Sequence, residues 1–249
     1  MGPPTSSANT SPPMGSDVPA AAAEKAGGAR RTIFIGDVHG CLDELLDLLR
    51  LTGADDAEDR VVLVGDLVAK GPDSRGVVAV ARERGFRAVL GNHDAKVVSL
   101  FDSGRDPGDD TQQSDHARVA ASLAAEDRTF LETLPLVITF LDIAAIAVHG
   151  GLVPGVPLAE QSRKFLLNLR SITPGGEPSK RVDAGVPWGS LWPGPEHVVH
   201  GHDAMRGLQR HRFATGLDTG CVYGGALSAL VLPENRIVST PARRAYAPL

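Results

Sequence analysis

Five short apolar runs in this chain each break off into a glycine-bearing polar cluster, and that repeated ending limits the possible folds more than any other feature. The clusters are Gly36-Asp37-Val38-His39-Gly40, Gly65-Asp66-Leu67-Val68, Gly91-Asn92-His93-Asp94, Val148-His149-Gly150-Gly151 and Val199-His200-Gly201-His202-Asp203. The runs at 32–35, 60–64 and 87–90 have the length and apolar content of buried strands, and a helix-period segment follows each cluster. This is a βαβαβ order, and open α/β sheets gather their ligands where the strands end.

In the first helical segment Leu42, Leu45, Leu46 and Leu49 share a face, which leaves Asp43, Glu44 and Asp47 for solvent. Further on, 136–140 and 144–148 read as a hairpin around Leu141-Asp142-Ile143, and 197–200 and 226–232 add strands. The pattern predicts an α/β fold in which mixed sheets pack face to face with helices outside. With 249 residues, 42% of them apolar, the chain can bury one sizeable core. Residues 1–31 are dominated by Pro, Ser, Ala, Gly and Thr and read as a disordered tail, leaving 32–249 as the folded domain. The polar run at 102–115 reads as a surface loop or a small lid.

A formal net charge of −5 argues against a duplex nucleic acid partner. The longest apolar candidate for a membrane span, 134–148, is broken by Pro135 and Asp142, so no membrane association is expected. Cys41 and Cys221 signal neither a disulfide framework nor a zinc ribbon, which points to a reducing, cytoplasmic setting. Cys41 reads as a small buried residue at a helix start.

The clusters offer carboxylate, amide and imidazole without thiolate. That mixture suits a pair of divalent ions, Mn, Fe, Co or Zn. Asp66 is the natural bridge; Asp37 and His39 can turn toward one ion, while Asn92, His149 and His202 could hold the other. His200 and His202 share a face of an extended strand, so chemistry alone allows either as the ligand. His116, His197 and His211 have no such companions and read as surface residues.

Taken together, Asp-Val-His, Gly-Asp, Gly-Asn-His-Asp, His and Gly-His in this order resemble the metallophosphoesterase superfamily, over nearly all of the chain after residue 31. Gly65-Asp66-Leu67-Val68-Ala69-Lys70-Gly71-Pro72-Asp73-Ser74, Val148-His149-Gly150-Gly151-Leu152-Val153-Pro154-Gly155 and Leu217-Asp218-Thr219-Gly220-Cys221-Val222-Tyr223-Gly224-Gly225 are similar to the symmetrical diadenosine tetraphosphatases and ApaH-like phosphatases, relatives of the Ser/Thr phosphoprotein phosphatases. The resemblance implies a metallophosphoesterase-type β-sandwich of mixed sheets flanked by helices, with residues 32–249 the catalytic domain. It places the metal ligands on Asp37, His39, Asp66, Asn92, His149 and His202, favouring His202 over His200, and the general acid on His93.

The implied activity is dinuclear-metal hydrolysis of a phosphate-bearing small molecule, a dinucleoside polyphosphate cut into two nucleoside diphosphates, with Mn(II) the expected metal. Asp94 or a nearby backbone carbonyl would orient His93. Lys70 and Arg170 are candidates for gripping phosphate, with Arg206 a third; the 205–212 stretch reads more simply as a solvated face. The phosphoprotein phosphatases carry an Asp-Arg pair where this chain has Ala69-Lys70, which weakens that assignment. A phosphoprotein phosphatase, an endopolyphosphatase and an RNA cap hydrolase are the alternatives within the same chemistry. From another class, a catalytically silent scaffold would keep the fold, but here every expected ligand position is filled.

Overall fold

The computed structural model describes residues 22–24, 30–101 and 114–249. Along the chain run β1 (Ala22–Glu24), β2 (Thr32–Ile35), α1 (Leu42–Thr52), β3 (Arg60–Leu63), α2 (Ser74–Glu83), β4 (Arg87–Ala88), α3 (Asn92–Val98), α4 (Asp115–Ser122), α5 (Ala125–Glu132), β5 (Val137–Phe140) and β6 (Ala145–Val148). Then come α6 (Arg163–Asn168), β7 (Ser171–Ile172), β8 (Pro178–Ser179), β9 (Val186–Pro187), β10 (His197–His200), β11 (Gln209–Arg210), β12 (Ala214–Gly216), β13 (Ala226–Leu232) and β14 (Arg236–Pro241).

Two mixed sheets form the body. One has the order β14-β13-β2-β3-β4, with β2, β3 and β4 parallel and β13 antiparallel to both neighbours. The other runs β1-β5-β6-β10-β12-β11, with β6, β10 and β12 parallel. Successive residues of β2 serve different layers, as the two-residue period of a strand requires. Phe34 enters the layer between the sheets, alongside Val62, Phe140, Ala147 and Val199. Ile33 and Ile35 enter the outer layer, with Leu45 and Leu48 of α1. Phe34 and Phe140 meet edge to face across the sandwich, ring centroids 5.5 Å apart. Truncating either ring to Ala would cost about 3 to 5 kcal/mol.

Helix α1 ends where Gly53 adopts a left-handed conformation. Its buried face contains Leu45, Leu48 and Leu49, and also Glu44, which departs from the solvent-facing expectation. Glu44 is fully buried, and its Oε1 accepts the Arg243 backbone N–H at 3.0 Å and the Tyr246 hydroxyl at 2.8 Å. Those donors come from the segment after β14, which a helical period cannot reveal. Just before β2, Arg31 grips the buried Asp59 through a two-pronged contact, Nε to Oδ1 at 3.1 Å and Nη2 to Oδ2 at 2.5 Å.

Within the stretch read as a tail, β1 pairs in parallel with β5, Ala22 opposite Ile138. The remainder of that stretch up to residue 29 lies outside the described residues. So does the 102–115 loop as far as 113; Ser114 and Asp115 open α4. A further small sheet, β8-β7-β9, was not foreseen because its strands have two residues each.

Candidate metal centre

The parallel strands of both sheets aim their C-terminal ends at one place. β2, β3 and β4 deliver Asp37 and His39, Asp66, and Asn92 with His93; β6, β10 and β12 deliver His149, His202 and Asp218. Asp66 stands in the middle. Its Oδ2 lies 3.4 Å from His39 Nε2 and 3.4 Å from His149 Nε2, while its Oδ1 accepts the His93 backbone N–H at 2.8 Å. Donor atoms of His39, Asp66 and His93 fall within 4.8 Å of one another, and so do those of Asp66, His149 and His202. Two donor groups therefore share one carboxylate.

The remaining predicted residues close around this axis. Asn92 Oδ1 is 2.9 Å from His149 Nε2, and the Asp37 carboxylate accepts the His202 backbone N–H at 3.1 and 3.2 Å. His39 Nδ1 is 3.1 Å from the Val68 carbonyl, and His149 Nδ1 is 3.0 Å from that of Val64. A carbonyl only accepts, so each Nδ1 carries a hydrogen and each Nε2 is turned toward Asp66, the orientation in which a carbonyl behind the ring holds metal-binding histidines. His202 Nε2 is buried without a hydrogen-bond partner. This donor set, oxygen and imidazole nitrogen with an unsatisfied ring atom, fits divalent cations.

The electrostatics point the same way. Burial and Asp218 push Asp37 well above the usual carboxylate range. Asp66 resists burial and is pulled well below it, chiefly by His149. His149, although burial opposes its charge, is raised to about 10 by Asp66. Burial lowers His39 to about 3 and His93 to about 4. Positive charge is thus drawn to the Asp66–His149 axis, where a cation would supply it.

Backbone strain concentrates here too. Among the described residues, five of the seven non-glycine positions with positive φ are His39, Asp66, Ala69, Lys70 and His202. Such conformations cost about 1 to 3 kcal/mol each and persist only where their surroundings enforce them. Close approach matters as much: a Cβ on Gly201 would sit 1.9 Å from Asp37 Oδ1, and one on Gly91 would sit 2.2 Å from Asp66 Oδ1.

The sequence profile of the calcineurin-like phosphoesterases matches residues 30–234, most of the chain. The chain belongs to that family. As a calcineurin-like phosphoesterase it is a hydrolase of a family that implies divalent metal ions. It is 31% identical to a symmetrical bis(5'-nucleosyl)-tetraphosphatase of Edwardsiella ictaluri, over 86% of this chain and 97% of the relative. An asymmetrical bis(5'-nucleosyl)-tetraphosphatase, PrpE, of Halalkalibacterium halodurans is 28% identical, over 85% and 94%. A crystal structure provisionally assigned as a diadenosine tetraphosphatase superposes with a TM-score of 0.82 and 39% identity, over 90% and 98%.

Not every predicted residue of this phosphoesterase has the expected surroundings. Asp94 does not contact the His93 ring: its Oδ1 accepts the Leu67 and Val68 N–H groups and its Oδ2 that of Gly91, bracing the loops that carry Asp66 and Asn92. The His93 ring instead meets His116, Nδ1 to Nε2 at 2.9 Å, so His116 is no bystander at the surface. Arg170 donates to the Lys180 and His202 carbonyls, which commits it to holding the His202 loop. Arg206 likewise donates to Arg170 O, Asp203, Ser171 and Val182. Lys70 does reach the centre, its Nζ 3.2 Å from His39 Nε2 and donating to Tyr223 Oη at 2.8 Å.

His200 packs on Trp188, ring centroids 4.8 Å apart, consistent with its being the packed member of the pair. Asp218, which the sequence offers within a Gly-rich motif but without a role, also follows a strand end; it is buried, and burial raises it to about 6. Cys41, Cys221 and Glu44 converge behind the centre, with donor atoms within 4.8 Å. Both cysteines are free and buried, and contact with Cys41 together with burial raises the Cys221 thiol far above its usual range, which makes it inert as a nucleophile.

Proposed function

We propose that this chain hydrolyses dinucleoside polyphosphates, diadenosine tetraphosphate being the type substrate, into two nucleoside diphosphates. Asp37, His39, Asp66, Asn92, His149 and His202 would hold two divalent ions, proposed to be Mn(II); oxygen and nitrogen donors without thiolate also suit Co, Fe or Zn. The observation that carries this reading is the single Asp66 oxygen placed equally between two histidine nitrogens. It occurs in a chain whose tetraphosphatase relatives match along nearly their whole length. When bound, such ions lower the pKa of water toward neutrality and neutralise charge developing on phosphoryl oxygens.

The protein's own groups do the rest. His93 is the proposed acid for the leaving oxygen; a phosphate arriving beside it supplies the negative charge that favours the imidazolium against burial. His116 fixes the ring's direction. Lys70 offers a point charge to non-bridging oxygens, and Tyr223 Oη accepts a hydrogen bond from its ammonium. Ala69, buried, stands before Lys70 where the phosphoprotein phosphatases carry an Asp, and this supports nucleotide over phosphoprotein substrates.

Residues 32–249 form the proposed catalytic domain. No helix among the described residues is long and apolar enough to cross a membrane. Two reduced thiols within contact suit a cytoplasmic setting.

The test is a panel of diadenosine tetraphosphate, long-chain polyphosphate, phosphoserine and phosphothreonine peptides and capped RNA, assayed on Mn-loaded protein with products identified. Two equal diphosphates support the proposal. Unequal nucleotide products would move it to the asymmetrical mode named for the Halalkalibacterium relative, and turnover confined to phosphopeptides would overturn it. Full metal content without hydrolysis of any substrate, aryl phosphates included, would leave a silent scaffold.

A further inference from the structure

Beside the metal centre a second concavity of about 540 Å³ opens, and four cationic side chains line it: Lys70, Arg75, Arg118 and Arg244. Two acids also line it, and both are committed to the fold. Asp73 caps α2 by accepting the Gly76 N–H at 2.7 Å. Asp115 accepts the Lys70 N–H at 2.5 Å and an Arg118 N–H at 3.1 Å. Arg75 and Arg244 are exposed and have no carboxylate partner among the described residues; Arg244 only lies over the Tyr246 ring, 5.2 Å from its centroid. Uncommitted guanidinium groups around a concavity of this size suit a ligand with several anionic oxygens, on the scale of a nucleotide.

The groove reaches the centre at two points. One is Lys70, beside His39. The other is Asp115, whose neighbour His116 contacts the His93 ring. An acid that protonates the leaving oxygen marks the side on which the leaving group departs. Whatever is attached to that oxygen continues past His93 and Lys70 into the groove.

We propose that this groove binds the leaving arm of the substrate, and that the arm carries further phosphates and a nucleoside. The inference rests on the proposed function and goes beyond it by assigning Arg75, Arg118 and Arg244 to recognition. The step consumes one water: an oxygen–phosphorus bond forms, the bridging phosphorus–oxygen bond breaks, and the departing oxygen keeps the electron pair and gains a proton. The departing nucleoside diphosphate is then held by the groove until it dissociates.

The experiment compares the Mn-loaded full chain with Arg75→Ala/Arg244→Ala, measuring kcat/KM for diadenosine tetraphosphate and for p-nitrophenyl phosphate, whose leaving group has no phosphate. Loss of two charged hydrogen-bond donors should lower the ratio of the two constants at least about tenfold, mainly through KM. Arg75→Lys/Arg244→Lys should keep most of it. An unchanged ratio in a double variant with the parent's melting temperature overturns the inference. Should the parent leave diadenosine tetraphosphate uncut, the proposed function fails, and the groove is judged separately through inhibition of aryl phosphate hydrolysis by inorganic tripolyphosphate. Weaker inhibition of the Ala variant supports the groove; equal inhibition of both proteins, or none, overturns it.

Discussion

Adding one methyl group at Gly201 should empty part of the metal centre while leaving the fold intact. The new Cβ would lie 1.9 Å from Asp37 Oδ1 and 3.2 Å from Val64 Cγ2, where ordinary contact begins at 3.4 Å. The carboxylate must therefore retreat by about 1.5 Å, the gap between those two distances. It has little room to do so: Asp37 is 3% exposed, and both of its oxygens accept the His202 N–H. Moving the backbone instead displaces His202, the next residue, and stretches the bond from Gly201 N–H to the His149 carbonyl, now 3.0 Å. Either response shifts a proposed ligand by more than an ångström, and a misplacement of that size costs about a hundredfold in rate. Gly201→Ala should hold fewer than two ions per chain and lose at least about a hundredfold in kcat/KM for an aryl phosphate, with about 1 to 3 kcal/mol of stability lost to overpacking. Gly175→Ala is the control, because its nearest neighbour would be Thr173 Oγ1 at 3.8 Å. Two bound ions and activity within threefold of the parent in Gly201→Ala would show that Asp37 does not belong to the cage.

Three other outcomes are expected. His93→Asn should lower kcat by roughly a hundred- to ten-thousand-fold with metal content unchanged; loss of an ion would make His93 a ligand instead of the acid. His116→Gln should lower kcat less and move the acidic limb of the pH–rate profile, and an unmoved limb would reduce His116 to packing. The hydrogen bond from Arg31 holds the Asp59 carboxyl below its ordinary range against burial, so its contribution to stability is full above the unfolded value and is lost as pH falls through the folded one. Asp59→Asn should cost about 1 kcal/mol at neutral pH and flatten the stability profile below about pH 4, as read by denaturant titration; a profile as steep as the parent's would assign the acid sensitivity to another group.

Much of the centre was legible because each proposed ligand ends an apolar run and brings glycine with it, so Asp37, Asp66, Asn92 and His149 could be read from local pattern, whereas the choice of His202 over His200 needed the family resemblance. Asp218 obeys the same pattern after β12, but a three-residue strand leaves a faint run, so the motif that contains it carries no sign of a role at the centre. His116 gave no signal: it lies on a helix, and only the packing of α4 against α3 brings it to His93. Arg170 and Asp94 misled for a related reason. Their residue types suit phosphate and imidazole, but backbone groups hold both: Arg170 donates to the Lys180 and His202 carbonyls, and Asp94 accepts three buried N–H groups, whose loss of a partner would cost more than an unmade contact to substrate. Glu44 shows the same limit in the core, since its donors arrive from the chain's last segment, about 200 positions away.

The proposed ligands hang from different halves of the sandwich. Asp37, His39, Asp66 and Asn92 follow strands of the five-stranded sheet, whereas His149 and His202 follow strands of the six-stranded one. An ion gripped by Asp66 and His149 together would rivet the halves at their rim, so occupancy and closure of the seam become one equilibrium. Slippage of one sheet over its neighbour would then be timed by how fast the cation leaves.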